Sequence, residues 1–416
     1  MIHVPKGTKD VLPRESYKWH YIEEKIRQVV RKFYLSEIRT PTFEATELFA
    51  RGVGDTTDIV NKEMYTFDDK GGRSMTLKPE GTAGVARSVI ENSLYNDLLP
   101  RKMYYVSPVF RYERPQAGRL REHHQFGVEI YGADTPASDV EVISIARELL
   151  ISLGITELEL YINSIGCSEC RADYNSALKD YLASNIDNMC GLCQERYLKN
   201  PLRVLDCKQE SCQPVSNNAP SIQDYLCEEC LSHQNQLASL LDTLGISFAI
   251  NPRIVRGLDY YTKTVFEFVS SDIGAQGTVC GGGRYNNLSK EVGGLDCPAV
   301  GFGMGIERLI MVMENLNISF GESERAELYI APLEGTLNYC IKLGKELRDK
   351  GLSIDIDIME RGLKAQMKYA NKSGARYIIV VGDTEIESGK VNIKNMDSGE
   401  QELINIGDIH SYLKGA

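Results

Sequence analysis

Two different strand patterns run along this chain, and they meet near residues 315–325. Downstream the order reads strand Leu328–Ala331, helix about Thr336–Lys350, strand Ser353–Ile358, helix about Leu363–Ser373 and strand Tyr377–Val381. Strands separated by helices need crossovers, so a small, mainly parallel sheet is expected there. Upstream, strands return directly on themselves. Met64–Phe67 and Ser74–Leu77 flank the turn 68–72, and Met103–Tyr112 returns through Phe126–Tyr131. At 416 residues the chain is too long for one ordinary core, so two or three domains are expected.

The upstream part opens with an ordered loop, 5–13, and a helix from about Ser16 to Phe33, whose Trp19, Ile22, Ile26, Val29, Val30 and Phe33 make one apolar face. Ser36–Thr42 reads as an extended edge segment because it contains Pro41. Helix and edge together suit a subunit contact; a helix covering its own sheet fits the pattern equally well. Residues 51–62 read as a polar loop. Glu80 and Thr82 precede a helical run through Val85, Ala86, Val89 and Ile90. They suit helix capping, or, in a sharper reading, Glu80 suits a cationic group such as an α-ammonium. Ser138–Glu141 reads as a capping box opening a helix to about Leu153, and Glu157–Asn163 as a strand.

Positive charge is concentrated in a chain of formal net charge −11. Arg111 lies in an otherwise apolar strand, where a charge usually has a partner or ligand. The loop beyond it carries Arg114, Arg119 and Arg121, suited to phosphates or a nucleic-acid end. Arg256-Gly257-Leu258-Asp259-Tyr260-Tyr261 precedes the strand Thr264–Val269 and offers a guanidinium fork and two phenols to a small anion. Cys280-Gly281-Gly282-Gly283-Arg284-Tyr285 reads as a glycine-rich turn, and Gly301–Arg308 as glycines leading into a helix. Neither spacing fits a dinucleotide fingerprint. Near the end, Arg361, Lys364, Lys368, Lys372 and Arg376 form a basic stripe suited to a phosphate backbone.

Residues 167–250 differ in character: helical, polar and rich in cysteine. The pairs are Cys167/Cys170, Cys190/Cys193, Cys207/Cys212 and Cys227/Cys230. No apolar run reaches the length of a membrane span, and the start lacks a secretory or transit pattern, so a cytoplasmic location is expected. Thiols there stay reduced, and eight could form two tetrahedral zinc sites; buried or surface free thiols are the alternative.

Taken together the segments resemble the histidyl-tRNA synthetases, class II aminoacyl-tRNA synthetases, over nearly the whole chain. Pro5-Lys6-Gly7-Thr8-Lys9-Asp10 matches the family's opening signature. Phe110–Gln116 and Gly301–Arg308 match the second and third class II motifs. The hexapeptide at Arg256 and Gly282-Gly283-Arg284-Tyr285 match the two histidine-specific motifs. Asn286 departs from the pattern, which usually has an acid there.

The resemblance implies an α+β fold: an antiparallel catalytic sheet flanked by helices (1–166 and 251–318), a mostly helical Cys-rich insertion (167–250) and a C-terminal α/β anticodon-binding domain (326–416). It implies a homodimer through the first helix and the Pro41 strand. The implied reaction joins L-histidine to ATP, with Mg2+, giving histidyl-adenylate, then transfers histidine to the 3′ end of tRNA(His). Arg111 and Arg256 would hold the α-phosphate, Arg308 the γ-phosphate and Glu113 the adenine amino group. Glu80, Thr82 and Gln125 would receive the ammonium, with Glu129, Tyr260 and Tyr261 around the imidazole. Gln116 and Arg121 would read the acceptor end of the tRNA. Competing readings are a non-catalytic relative, such as a regulatory subunit of histidine biosynthesis or a tRNA sensor, and a synthetase for proline, threonine or glycine. The latter would lack the Arg256 hexapeptide.

Overall fold

Alternation along the strands gives the main sheet two unlike faces. In the computed structural model, which describes residues 1–54, 57–116, 118–270 and 277–415, the chain forms two units, Met1–Gly321 and Glu322–Ala416. The first is built on an eight-stranded sheet. Its order is Ser36–Glu37, Arg101–Phe110, Glu122–Tyr131, Ala299–Gly305, Thr278–Arg284, Thr262–Val269, Glu159–Ser164 and Ala249–Ile250. The two outermost pairings are parallel and all the others antiparallel.

One face of the sheet is apolar. Phe126, Val128, Ile130, Phe266, Phe302 and Met304 pack on the helices Pro13–Lys32, Pro136–Ser152 and Ile306–Asn315. Each such fully buried side chain contributes on the order of 1.5–3 kcal/mol of hydrophobic stabilisation. Ile22, Ile26, Val29 and Val30 of the first helix join this core, so its apolar face is covered within the chain. The other face carries Gln125, Gly127 and Glu129, with Gly301 opposite Glu129 and Gly303 opposite Gly127. The helix Thr82–Glu91 and the tyrosines 105, 260, 261 and 285 close over part of this face.

Several local expectations are corrected. Residues 280–284 are not a turn but part of the central strand Thr278–Arg284, and 301–305 likewise belong to a strand. Glycine there spares room on a sheet face instead of bending the chain. Ser138 does not cap a helix: the helix starts at Pro136, and the Ser138 hydroxyl donates back to the Thr135 carbonyl at 2.8 Å. Residues 51–62, of which 55 and 56 lie outside the described residues, hold the end of the helix Thr46–Val53 and the turn Ile59–Glu63. Arg111 falls just past the strand end at Phe110. Pro41 lies between the strands Ser36–Glu37 and Phe43–Ala45, outside both.

In the Cys-rich section the helices Ser168–Ala183 and Gly191–Lys199 and the short turns after them pack around Tyr174, Leu178, Leu182 and Val204, while the helix Glu228–Thr243 sends Leu237 and Leu241 into the main core. In the second unit the sheet order is Ile354–Ile356, Leu328–Pro332, Tyr377–Val381, Lys390–Asn395 and Gln401–Asn405. The first two pairings are parallel and the last two antiparallel. The sheet is therefore mixed, because a final hairpin adds to the expected parallel core. On the helix Leu363–Ser373, Lys364, Lys368 and Lys372 are exposed, as is Arg376 beyond it. Arg361 is instead tied to the buried Asp357 at 2.5 Å and stacks on Tyr369. Among the described residues no helix is long and apolar enough to cross a membrane.

Candidate active site

The polar face of the sheet is floored with glycine because its neighbours need the space. A Cβ on Gly301 would strike the Glu129 carboxylate, one on Gly303 the Gln125 amide, and one on Gly281 the Arg256 guanidinium. Only side-chain-free strands can lie beside these three groups.

Glu129 is fully buried. It accepts from the Thr82 hydroxyl at 2.8 Å and from the Tyr285 hydroxyl. Burial raises its pKa from 4.5 to about 8, against the pull of the Tyr285 and Thr82 hydrogen bonds. Tyr260 and Tyr285 pack edge to face at 5.4 Å, and Tyr260 lies 4.7 Å from Tyr261, centroid to centroid. Gln125 Oε1 accepts from the Gly81 backbone at 3.0 Å and the Tyr105 hydroxyl at 3.2 Å. Glu80 is also buried, and its carboxylate accepts from the backbone N–H groups of Thr82 (2.8 Å) and Ala83 (2.7 Å). It therefore caps the helix start, as one of the two sequence readings held. Burial raises its pKa, and those backbone donors oppose the rise.

Each of the three arginines is anchored by a nearby oxygen. Arg256 pairs with Glu267 Oε1, and among the described residues its buried Nε has no hydrogen-bond partner. Glu267 Oε2 accepts from the Thr278 hydroxyl at 3.0 Å, and the Thr278 carbonyl accepts from Arg308 Nη1 at 2.6 Å. Burial lowers the Arg308 pKa, with Arg119 lowering it further and Glu113 opposing. Arg111 donates to the Pro79 carbonyl at 2.8 Å, next to Glu80. His123 lies within electrostatic reach of both Arg111 and Arg308; burial first, then Arg111, brings its pKa down to about 3. It stays neutral and adds no charge to a crowded positive site.

The basic loop is ordered around the start of the chain. Arg121 stacks on the Tyr112 ring at 3.8 Å and donates to the Glu113 carbonyl at 3.2 Å. Its backbone N–H donates to the Gly7 carbonyl at 2.7 Å, and Gly7 has a positive φ of 89°. The N-terminal signature thus braces the loop. Gln116 is exposed and bridges to Arg119 across the tip, and Arg119 lies 3.5 Å from Glu113.

Sequence reasoning named no role for Glu267, Thr278, Tyr105 or Tyr285. The available signal was a charged residue at the polar phase of an apolar strand, Val265-Phe266-Glu267-Phe268. The fully buried Arg284 is a second finding. It pairs with Asp139 at 2.6 Å and Asp134 at 3.2 Å, and donates to Ser138 and to the carbonyls of Ala133 and Thr135. Asn286 accepts from Arg284 at 3.2 Å and donates to Asp134 at 2.8 Å. An amide thus bridges an arginine and an acid there.

The eight cysteines form two groups of four: Cys167, Cys170, Cys227 and Cys230, and Cys190, Cys193, Cys207 and Cys212. Within each, all sulfurs lie within 4.8 Å of one another, and either group could hold a metal ion.

A polar, glycine-floored face on a mainly antiparallel sheet, followed in sequence by an anticodon-binding unit, defines the class II aminoacyl-tRNA synthetase fold. The family model for histidyl-tRNA synthetase matches residues 7–309, and that for the anticodon binding domain matches residues 327–416. The chain belongs to the histidyl-tRNA synthetase family. It is 56% identical over 412 residues to the histidine–tRNA ligase of Caldanaerobacter subterraneus subsp. tengcongensis, covering 99% of each chain. It is 55% identical to that of Acetivibrio thermocellus, covering 100% of each. The apo histidyl-tRNA synthetase of S. aureus superposes with a TM-score of 0.84 at 40% identity, again covering 100% of both chains.

Proposed function

We propose that the chain is a histidine–tRNA ligase, activating L-histidine with ATP and passing it to the 3′ end of tRNA(His). The carrying observation is the chain of contacts Arg256–Glu267–Thr278–Arg308 along one sheet face that also holds Glu129. Adenylate formation joins two anions: a histidine carboxylate oxygen attacks the α-phosphorus, and the bond to the β-phosphate oxygen breaks, releasing pyrophosphate. Positioning and charge neutralisation carry such a step. Arg111 and Arg256 hold the α-phosphate and Arg308 the γ-phosphate, while Glu113 accepts from the adenine amino group. Mg2+ arrives with ATP and neutralises its phosphates.

Glu129, Tyr260 and Tyr261 line the imidazole pocket, with Thr82, Gln125 and Glu80 toward the ammonium. A site of buried polar groups rejects side chains that leave them unpaired. Gln116 and Arg121 face the acceptor end, and the lysines of the helix Leu363–Ser373 face the phosphates of the anticodon arm. The match to the anticodon binding domain over residues 327–416 favours this reading over a regulatory relative.

Three further parts belong to the proposal. The chain works in the cytoplasm as a homodimer. With the first helix turned inward, the partner meets the small sheet of Phe43–Ala45, Ser74–Leu77 and Tyr65–Asp68, where Phe43 and Phe67 are exposed and pack 6.3 Å apart. Residues 167–250 form the insertion domain between catalytic segments 1–166 and 251–318, with 326–416 as the anticodon-binding domain. Each cysteine group holds structural zinc. A tetrahedral zinc with four thiolates sets its sulfurs about 3.8 Å apart. The sulfur separations of 3.6 Å (Cys167–Cys170), 4.0 Å (Cys167–Cys227) and 3.9 Å (Cys190–Cys207) fit that. Aminoacylation with labelled histidine tests the central reading: tRNA(His) becomes charged, and no charging of that tRNA would refute it.

A further inference from the structure

Residues beside both cysteine groups contact one short segment, the one that carries Arg256, Tyr260 and Tyr261. Asn200 and Arg203 sit between Cys193 and Cys207 of one group. The Arg203 guanidinium donates to the Gly257 carbonyl, and Asn200 donates to Asp259 at 3.0 Å. Val255 packs on the small core that contains Cys193, Cys207 and Cys212. Arg256 is thereby held from both sides. In the other group, Arg171 follows Cys170 and donates to the Tyr261 carbonyl at 3.3 Å. Glu229 precedes Cys230 and accepts from Lys263 at 2.8 Å. None of these four side chains belongs to the sheet or to the motifs that mark the family.

We propose that the two metal-loaded cysteine groups act as a brace for residues 255–263, with Arg203 and Arg171 as positioning residues that set Arg256 and the two tyrosines for histidine. The inference rests on the histidine-activating reading and on zinc in the insertion. The loop has no regular structure between Ile250 and Thr262, so its carbonyls depend on side-chain donors from outside the sheet. A tetrahedral metal fixes the short turns that present those donors; without it the small Cys-rich core loses its cross-link and the donors lose their register.

The test uses the full-length protein before and after chelation of its metal, read by hydrogen exchange across residues 254–263 and by histidine-dependent ATP–pyrophosphate exchange. Metal removal should speed amide exchange in this segment at least about tenfold and raise the histidine KM at least about tenfold, with the ATP KM changing less than about threefold. Restoring zinc should reverse both. Arg203→Ala should reproduce the KM change while keeping its metal, and Arg203→Lys should recover part of it. A protein purified without bound metal, or unchanged amide exchange in 254–263 after chelation, would overturn the brace. Amide exchange needs no catalysis, so it reads the coupling even if the histidine assignment fails; absence of exchange activity in the metal-loaded protein would count against that assignment alone.

Discussion

Arg256 and Arg308, 52 residues apart in the chain, are linked through one acid: Glu267 pairs with Arg256 and accepts from Thr278, whose carbonyl holds Arg308. Two cations thus share a scaffold across adjacent antiparallel strands, and the buried Nε of Arg256, which has no partner among the described residues, leaves donor capacity for an incoming anion. Arg256→Ala should keep the fold and cut histidine-dependent pyrophosphate exchange at least about a hundredfold, the scale of losing a transition-state charge contact. Near-normal exchange would show that the arginine is misassigned.

The glycine floor makes a separate prediction. A Cβ at Gly281 would displace the Arg256 guanidinium. Gly281→Ala should therefore lower pyrophosphate exchange by about 100-fold, as a misplacement near 1 Å can. The melting temperature should fall much less than for a core cavity, and equal exchange in variant and parent would count against the geometry.

Glu129 sets a pH dependence. Its folded pKa, pushed by burial from 4.5 to about 8, lies above the ordinary value. The folded carboxyl holds its proton more tightly than the unfolded one, so its contribution is fully present below about pH 4.5 and is lost as pH rises through about 8. Thermal melts from pH 5 to pH 8.5 should show the parent losing stability relative to Glu129→Gln across that window. Parallel curves would contradict the burial of this group as a carboxyl.

Arg284 is structural. Its removal strands Asp139, which has no exposure and, among the described residues, keeps only His233 (2.5 Å) and Thr264 (2.8 Å) as side-chain partners. Arg284→Ala should cost about 3–5 kcal/mol by denaturant melt, the price of an uncompensated buried charge. A loss under about 1 kcal/mol would contradict the structural role of Arg284.

Metal analysis of freshly purified protein should find two zinc ions per chain, one for each cysteine group. Cys193→Ser should lose one and keep the other. A protein free of zinc would refute the structural role.

Much of the architecture could be read from the chain. The helix Leu363–Ser373 and the strand Tyr377–Val381 fall where their apolar periods place them. The misreadings share a cause. Gly281–Gly283 and Gly301–Gly305 are glycine-rich, and glycine usually marks a turn, yet Gly301-Phe302-Gly303-Met304-Gly305 alternates with the period of a strand. Composition outweighed period there. The pairing of the first cysteine pair with the fourth, and the second with the third, depends on contacts far apart in sequence and has no local signal. The same holds for Arg203 reaching Gly257. The capping bonds of Glu80 to Thr82 and Ala83 also needed the structure, because capping and an ammonium contact both call for an acid just before a helix.

ATP–pyrophosphate exchange screened across the twenty amino acids tests the central claim most directly. Histidine alone should drive exchange, at a rate that depends on Arg256. Exchange driven equally well by another amino acid, or none with histidine, would contradict it.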